Sequence, residues 1–456
     1  MASMFPNSRG RRRFAAVAAA MLVAGAGCVG ARSSAPPDVS PGASPSAALT
    51  ATPTTTSAAT YDLSNVPLAP AGEWKSIHWV QLPATPVAAL PSPDPGTSAE
   101  TIDREFYVAG WSRGFVGFSL QTLTASESRT VATLSTSVAT ISTTYSSDGV
   151  HWHDGTVMQQ PVSIDDLQVV GLYEGPSGLL AVGASGACGD SWIEALWTSL
   201  DGISWQKVDT KKAFGETVIE NVSGGSSGFV ATASDGRAVW TSRDGQNWML
   251  VKLDTPASSR IDAGTAFSGG YVLVGSTETV GARSCGAYVT DPSAPPTPAP
   301  PMRSPAVWWS PDGATWNNAE LPGATSAYAV EMQVCRANDR TLVALEEYRS
   351  DASSGYTFWI SNDGRTWKSP AAPSGLSTYL LTDGQHGLLA YDPQDPGVAD
   401  APSSNSSISM VTDDGGLVAL AQEGDRPPYN WKEQWAVGPT GILWTDGSRL
   451  WVGLPA

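Results

Sequence analysis

The chain has 456 residues, with 46 glycines, 34 prolines and 18 tryptophans against only 15% charged residues. This turn-rich, aromatic-rich composition favours many short strands over long helices. The formal net charge of −17 argues against nucleic acid or an anionic membrane surface as a binding partner. No DxDxDG loop with a closing Glu is present, so the acidity does not predict a calcium site, and we expect neither a metal nor a cofactor.

Residues 1–27 form a predicted signal peptide, with four arginines between positions 9 and 13. The apolar run that follows, 14–27, is shorter than the roughly 20 residues that span a bilayer. It ends in AGAGC, which resembles the lipobox of bacterial lipoproteins and implies a lipid on the thiol of Cys28 as first mature residue. Ordinary secretion with a free Cys28 is the alternative, and the RRRF start leaves Sec and twin-arginine export both open. Removal of the segment changes the net charge from −17 to −21.

Residues 28–72 consist almost wholly of Pro, Ser, Thr, Ala and Gly after the cysteine. Such a segment cannot bury enough apolar surface to offset its ordering, so we predict a disordered tether. A flexible chain of this length has an end-to-end distance of roughly 35–40 Å. It would hold a folded body clear of a membrane.

From residue 73 to 456 short apolar runs alternate with turn residues, and one motif, typified by WTSRDGQNW at 240–248, recurs five times. Its final tryptophans are 43 to 68 residues apart, a spacing typical of propeller blades. The recurring residues are Ser146, Asp148, Gly149, Trp152, Ser199, Asp201, Gly202, Trp205, Ser242, Asp244, Gly245, Trp248, Ser310, Asp312, Gly313, Trp316, Ser361, Asp363, Gly364 and Trp367. We predict an all-β fold of four-stranded antiparallel blades, each unit ending in this motif.

Two weaker units follow, MVTDDGGLV at 410–418 and the C-terminal WAVGPTGILWTDGSRLWVGLP. The last supplies three strands, and EWKSIHWVQLP at 73–83 reads as an isolated fourth strand. Pairing of this strand with the C-terminal blade would remove an open sheet edge. The prediction is therefore a β-propeller of about seven blades, with six or eight as alternatives.

Within each motif we predict a three-residue hairpin loop closed by Gly in the left-handed region. Gly245 should then have positive φ, and the Ser and Asp side chains should bond nearby backbone amides. The third strand is expected to begin at the first tryptophan and the fourth to carry the second. Trp240 and Trp248 should face each other across these two strands.

The motif, SxDGxxW, resembles the Asp box, or BNR repeat, of sialidase-like propellers, although Gly follows Asp one residue early. The resemblance implies propeller architecture for residues 73–456 and places the box on the rim, away from an axial pocket. A sialidase would also need an arginine trio, a Tyr nucleophile with a Glu partner and an Asp acid/base. The family's Arg-Ile-Pro signature is absent, Arg104 is no substitute, and Arg243 and Arg365 fall in the turns. Sialidase activity is not expected.

Other chemical motifs have plain structural interpretations. GGSSG at 224–228 matches a nucleophile elbow but lies in a predicted strand-to-strand turn without a helix or a triad. His151 and His153 share a face of a strand but lack a third zinc ligand. Glu346 and Glu347 are neighbours on a strand and point to opposite faces. The Pro-rich loop 290–305 is expected to be a solvated excursion, with polyproline recognition as the alternative.

Three further cysteines follow Cys28, namely Cys188, Cys285 and Cys335. They permit one disulfide and leave one thiol over, and the sequence does not choose the pairing.

These observations predict a monomeric, extracytoplasmic binding or interaction module for a glycan or an envelope protein, attached to the membrane only through its lipid. The alternative is a glycoside hydrolase with an axial carboxylate pair. Function is expected in loops at one end of the axis, around Cys188, 285–305 and 350–355, and not in the turns.

Overall fold

The computed structural model describes residues 76–83, 99–129, 132–159, 168–185, 192–253, 255–256, 258–283, 301–327, 329–336, 342–349, 354–369, 379–382, 388–392, 407–411, 417–424, 427, 434–446 and 448–455. The predicted signal peptide and tether, Cys28 included, lie outside these residues. The described residues form 28 strands and one short helix.

The strands are β1 (Ser76–Gln81), β2 (Ala99–Trp111), β3 (Gly114–Arg129), β4 (Ala132–Ser146), β5 (His153–Gln159), β6 (Gln168–Gly175), β7 (Gly178–Ser185), β8 (Trp192–Ser199), β9 (Gln206–Lys207), β10 (Ile219–Gly225), β11 (Gly228–Ala233), β12 (Val239–Ser242), β13 (Met249–Val251), β14 (Arg260–Phe267), β15 (Gly270–Arg283), β16 (Pro301–Ser310), β17 (Asn317–Ala319), β18 (Ala329–Arg336), β19 (Leu342–Arg349), β20 (Ser354–Ser361), β21 (Tyr379–Thr382), β22 (Leu388–Asp392), β23 (Ser407–Val411), β24 (Leu417–Ala419), β25 (Ala421–Gly424), β26 (Gln434–Gly438), β27 (Gly441–Thr445) and β28 (Leu450–Pro455). The helix is α1 (Thr210–Phe214).

Consecutive strands pair in antiparallel groups, which we number as blades in chain order. The first is β2–β5, the second β6–β9, the third β10–β13, the fourth β14–β17, the fifth β18–β20 and the sixth β21–β24. The second and third are linked into one sheet by the single pair of Ile219 with Ile193. In the fifth, a bridge between Ile360 and Lys368 stands in the place of a fourth strand.

The first strands of successive blades contact one another in a closed cycle, β2, β6, β10, β14, β18, β21, β26 and back to β2. They therefore surround a central axis, and the fold is a β-propeller, as the repeat predicted. The described strands account for seven blades, while the blade count of the whole chain stays a prediction.

The N-terminal strand closes the ring. β1 pairs antiparallel with β28, so that the seventh blade consists of β26, β27, β28 and β1. This confirms the closure predicted from EWKSIHWVQLP. β25 adds a fifth strand by pairing in parallel with β1, and the Nε1 of Trp79 donates a hydrogen bond to the Oε1 of Gln422 at 3.0 Å.

The core lies between the blades. Each apolar cluster joins side chains of two neighbours, such as Phe118 of the first blade with Leu179 and Trp197 of the second. The turns between first and second strands and those between third and fourth strands share one end, which we call the lower end. The connections between second and third strands, and from each blade to the next, lie at the upper end. β15 and β16 extend their pairing upward as far as Arg283 with Pro301.

Two predicted boundaries are wrong. The Pro-rich loop ends before Pro301, because extended backbone at 301–305 already pairs with β15 and suits the fixed φ of proline. The third strands also do not begin at the first tryptophan of the motif. Trp197 is the sixth residue of β8 and Trp308 the eighth of β16, although Trp240 is the second of β12. Trp248 precedes β13.

Candidate functional site

Each of the five turns contains the same set of side-chain to backbone hydrogen bonds. In the third blade the Oγ of Ser242 accepts a hydrogen bond from the amide of Gly245 at 2.9 Å and donates one to the Oδ1 of Asp244 at 3.1 Å. That same Oδ1 accepts the amides of Gln246 at 2.9 Å and Asn247 at 2.7 Å. The other four turns repeat these contacts within about 0.1 Å.

The motif glycine has positive φ in every turn, as the hairpin prediction requires, with +72° at Gly245. Its carbonyl accepts a hydrogen bond from the indole Nε1 of the final tryptophan, at 2.9 Å for Trp248. The indole therefore folds back over its own turn.

The predicted pairing of the two tryptophans is wrong. Trp240 pairs with Leu250, and Thr241 pairs with Met249, so Trp248 lies inside the loop. The loop is wider than predicted because the Asp carboxylate gathers two successive amides before the fourth strand begins. Trp240 and Trp248 instead both pack on Phe214 of α1, with ring centroids 5.4 Å and 5.1 Å away.

A tryptophan pair of the predicted kind occurs in the seventh blade. Trp444 pairs with Trp451 across β27 and β28, with ring centroids 4.8 Å apart. The intervening Asp446 accepts the amides of Ser448 and Arg449 through Oδ1, at 3.0 Å and 2.7 Å. Asp446 thus accepts two amides as the turn aspartates do, but in a connection between second and third strands, at the upper end of the propeller.

The turns pack against the preceding blade. A Cβ on Gly245 would lie 2.9 Å from the Cγ2 of Thr198 in the second blade, and one on Gly364 would lie 2.7 Å from the Cγ2 of Val272 in the fourth. The following residue often reaches the same neighbour: Arg365 stacks on Trp309 at 4.0 Å. The turns are thus contacts between blades at the lower rim, and they leave the axis free.

A polar group lies at the opposite, upper end. It consists of Arg260, Asp262, Glu278, Arg303 and Glu331, which we call the Asp262 cluster. Arg260 and Asp262 begin β14, Glu278 and Arg303 pair across β15 and β16, and Glu331 is on β18. Because β14 and β18 belong to the central ring, the cluster adjoins the axis.

A β-bulge places Asp262 in this group. The pairing of β14 with β15 shifts between Ile261 and Ala263, so that Asp262 has no opposite residue. Bulges redirect a side chain and recur next to functional sites. The first strands of the first three blades have the same shift, at Ile102, Val170 and Glu220, so the bulge belongs to the repeat and only the residue in it differs.

The cluster has two halves, one around Asp262 and one around Arg303. The Oδ1 of Asp262 lies 3.0 Å from the Nε of Arg260, and its Oδ2 accepts the backbone amide of Met332 at 3.1 Å. Arg303 donates to the Oγ of Ser276 at 2.9 Å and to the carbonyl of Ser258 at 3.1 Å. Its Nη1 also lies 3.6 Å from Glu278.

Burial raises the pKa of Asp262 to about 7. The positive charge of Arg260 and the amide of Met332 oppose the rise, the negative charge of Glu331 adds to it, and Arg303 opposes it. The Asp262 side chain is only 7% exposed, whereas that of Arg260 is 38% exposed. Titration near neutrality next to a second carboxylate is a feature of binding and catalytic sites.

The five turn aspartates differ from Asp262 in their charge state at neutral pH. Burial alone would raise the pKa of Asp244, but the hydrogen bonds from Asn247, Gln246 and Ser242 together hold it below its ordinary value. The other four have lowered pKa values through the same amide contacts. They are fixed anions and not proton donors.

The remaining candidates from the sequence are on other strands. Arg104 is on β2, and Glu346 and Glu347 are on β19, where they pair with Met332 and Glu331 of β18. Ser227 of GGSSG donates to the carbonyl of Phe267 at 2.6 Å, a contact between blades. The Nδ1 of His151 lies 2.7 Å from Asp148.

Cys188 and Cys285 lie outside the described residues, and Cys335 lies in β18, so the disulfide pairing stays a prediction. Residues 186–191, 284–300 and 350–353, in which functional loops were predicted, also lie outside the described residues. Among the residues described, no helix has the length and apolarity to cross a membrane. The described part likewise contains no group of three His, Cys, Asp or Glu residues arranged to hold a metal ion.

No protein-family model and no curated protein matches the chain. Similar solved structures include a catalytically inactive virginiamycin B lyase from Staphylococcus aureus with quinupristin, at 10% identity and a TM-score of 0.38, covering 78% of this chain and 98% of that one. YCF48 bound to a D1 peptide has 14% identity and a TM-score of 0.28, covering 81% and 98%. A glycosyl hydrolase from Bacteroides ovatus has 12% identity and a TM-score of 0.25, covering 64% and 85%. TM-scores this low carry no information on the activity of this chain.

Proposed function

We propose that the protein is an extracytoplasmic, lipid-anchored propeller that binds a glycan at the upper end of its axis through the Asp262 cluster. The observation that carries the proposal is the burial of the Asp262 carboxyl at a bulge of a central strand. Burying a carboxyl costs free energy, and the equivalent bulges of the first two blades contain Ile102 and Val170, so a blade does not need an acidic residue there. Carboxylates and guanidinium groups around an axis offer the acceptors and donors that sugar hydroxyls require.

The direction of β1 supports an orientation in which the lower end of the propeller faces the membrane and the upper end faces away from it. As the fourth strand of its blade, β1 runs antiparallel to β28 and enters the fold from the lower end. A tether attached through Cys28 would therefore join the lower end, where the turns of the Asp-box type lie. The Asp262 cluster would be at the end away from the anchor, open to a ligand.

A glycan array on the full mature protein, followed by titration calorimetry of any hit, tests the binding role. We expect Asp262→Ala to weaken binding at least tenfold, which corresponds to about 1.4 kcal/mol. Asp154→Asn, an exposed carboxylate on the outer strand β5, is the matched control and should bind normally. Equal binding by Asp262→Ala would contradict the assignment of the site. An array without hits, with an envelope protein captured instead, would favour a protein partner.

A second candidate is hydrolysis of a glycoside, favoured by one observation. Asp262 holds a proton near neutrality while the negative charge of Glu331 lies close enough to affect it. A protonated acid beside a carboxylate is the arrangement that glycosidases use. Release of reducing sugar from the array's ligand, lost in both Asp262→Asn and Glu331→Gln, would establish this activity. Binding without release would exclude it for that ligand.

The lipid anchor is tested separately from the ligand. We expect labelled palmitate to be incorporated into the wild-type protein in cells and not into Cys28→Ser. The variant should appear in the soluble extracytoplasmic fraction. Labelling that persists in Cys28→Ser would overturn the assignment of this residue.

A further inference from the structure

The contacts of Asp262 connect two blades. Its Oδ1 faces Arg260 on its own strand, whereas its Oδ2 accepts the amide of Met332 on β18, in the next blade. The residues Asp262 and Met332 are 70 positions apart. This carboxylate therefore connects β14 and β18, two adjacent strands of the ring around the axis.

We propose that Asp262 makes a protonation-dependent contact, here called the tie, between the innermost strands of the fourth and fifth blades. Gain or loss of the Asp262 proton would also change the charge of the upper end. The proposal rests on the proposed function only for its consequence at the ligand site. The tie itself is a property of the fold and can be measured without any ligand.

The charges around Asp262 define both states. Arg260 is on the same strand, Arg303 and Glu278 are on β16 and β15, and Glu331 is on β18. Glu220 holds the matching position on β10. When Asp262 is ionised, the hydrogen bond from Met332 is charge-assisted, but burying the charge costs more free energy than this contact returns, since the net effect on the Asp262 pKa is a rise.

Protonation changes two contacts at once. The hydrogen bond from Met332 becomes a neutral one, and Arg260 loses its counter-charge. Because the Arg260 side chain is partly exposed, its uncompensated positive charge would then face the axis beside Glu331. If the upper end binds a glycan, an acidic glycan should bind more tightly in the protonated state than in the ionised state.

Hydrogen exchange of the full mature chain tests the tie. Exchange of peptides covering 329–336 is followed by mass spectrometry at pH 5.5 and pH 8.5 and corrected for the intrinsic rate. In the wild type we expect roughly tenfold higher protection at the lower pH, because an opening that hydrates Asp262 returns its pKa towards the ordinary value, so that the proton favours the closed contact. Peptides from β11 and β12 of the third blade report global unfolding, so the change at 329–336 should exceed theirs.

Three variants sharpen the test. Asp262→Asn should lose the pH dependence at 329–336, because its side chain cannot ionise. Glu331→Gln should keep the transition but move its midpoint to lower pH, since a like charge has been removed. Glu220→Gln, at the matching bulge of the third blade, should behave as the wild type. Equal protection at both pH values in the wild type, or a persistent dependence in Asp262→Asn, would overturn the proposal. A glycan array without hits would leave this result untouched and count only against the proposed function.

Discussion

Gly245 combines two demands at one residue, a backbone conformation and a close contact. Its φ of +72° disfavours any side chain, and a Cβ would meet Thr198 of the neighbouring blade at 2.9 Å. Gly323 has the same φ of +72° but has nothing within 4 Å of a Cβ. The pair therefore separates backbone strain from packing between blades.

We predict that Gly323→Ala lowers the free energy of unfolding by about 1 kcal/mol, the cost of the left-handed conformation alone. Gly245→Ala should cost about 1–3 kcal/mol more, as over-packing does. Urea denaturation of both variants gives the two values. Equal losses would show that the turn does not press on the preceding blade.

The turn carboxylate is the second residue whose role can be measured. Asp244→Asn weakens the acceptor of two amides, and we expect a loss of about 1–2 kcal/mol at pH 7. Asp154→Asn should change stability by less than about 0.5 kcal/mol. The loss in Asp244→Asn should shrink as the pH falls through the lowered pKa of the wild-type carboxylate, because protonation removes the same charge. A loss that stays constant down to the pH of acid unfolding would mean that charge is not the cause.

The turn was predictable in part. Gly245 and the Ser242–Asp244 contacts follow from local rules, because turn residues act within three or four positions of the chain. The register did not follow, since a hairpin rule cannot show that Asp244 gathers the amides of both Gln246 and Asn247. The partner of the tryptophans, Phe214, belongs to a helix between blades and has no fixed spacing from the motif.

β1 is an element whose removal should have a large effect on stability. It closes the ring and buries Ile77 and Trp79, while Leu82 just beyond it is buried as well. Three fully buried apolar side chains contribute roughly 5–9 kcal/mol, which is comparable to the whole stability of a domain. A chain without β1 would also expose the edge of β28.

We therefore predict that a chain starting at residue 84 melts at least about 10 °C below one starting at residue 74. Addition in trans of a synthetic peptide of residues 74–83 should restore part of the difference. Thermal unfolding followed by circular dichroism measures both effects. Melting temperatures within about 2 °C of each other would show that the closing strand is dispensable.

Successive blades are also joined by contacts that the sequence repeat does not reveal. In three places the segment after a fourth strand contacts the next blade. β25 pairs with β1 of the seventh blade, Glu320 bridges to Thr366 of the fifth, and Phe214 packs on Trp248 of the third. These segments share no sequence, so the repeat could not reveal them. The closure by β1 was predictable because an orphan strand and an incomplete blade lie at opposite ends of one chain.

At the scale of the molecule, the Asp262 cluster is a group of charges that the sequence repeat does not reveal. Its charges come from four strands of two blades, and Asp262 and Met332 meet only because the ring brings β14 beside β18. One local signal was available: an acidic residue follows a buried isoleucine at the same point in Ile219–Glu220 and Ile261–Asp262. Comparing the first strands of the units would have found it, whereas the search for paired acids found Glu346 and Glu347.

Two populations of aspartate give the whole molecule an unusual dependence on pH. The turn aspartates have lowered pKa values, so their stabilisation is complete above the ordinary value of 3.8 and is lost as the pH falls through their folded values. Asp262 has the opposite sign. Its pKa rises from 3.8 to about 7, so the folded chain keeps a proton that the unfolded chain releases, and stability falls as the pH rises between these values.

We therefore expect the free energy of unfolding to be greatest near pH 4–5 and to fall by about 3–5 kcal/mol towards pH 8, at 1.36 kcal/mol per pKa unit. Asp262→Asn should remove this decline and keep the loss of stability on the acid side. Urea denaturation at pH 3, 4.5, 6 and 7.5 gives both limbs for each protein. A wild type that is most stable at pH 7.5, or a decline unchanged in Asp262→Asn, would mean that the buried carboxyl is ionised at little cost. In that case the Asp262 cluster would be a structural ion-pair network, and the main observation that supports a ligand site at the upper end would be removed.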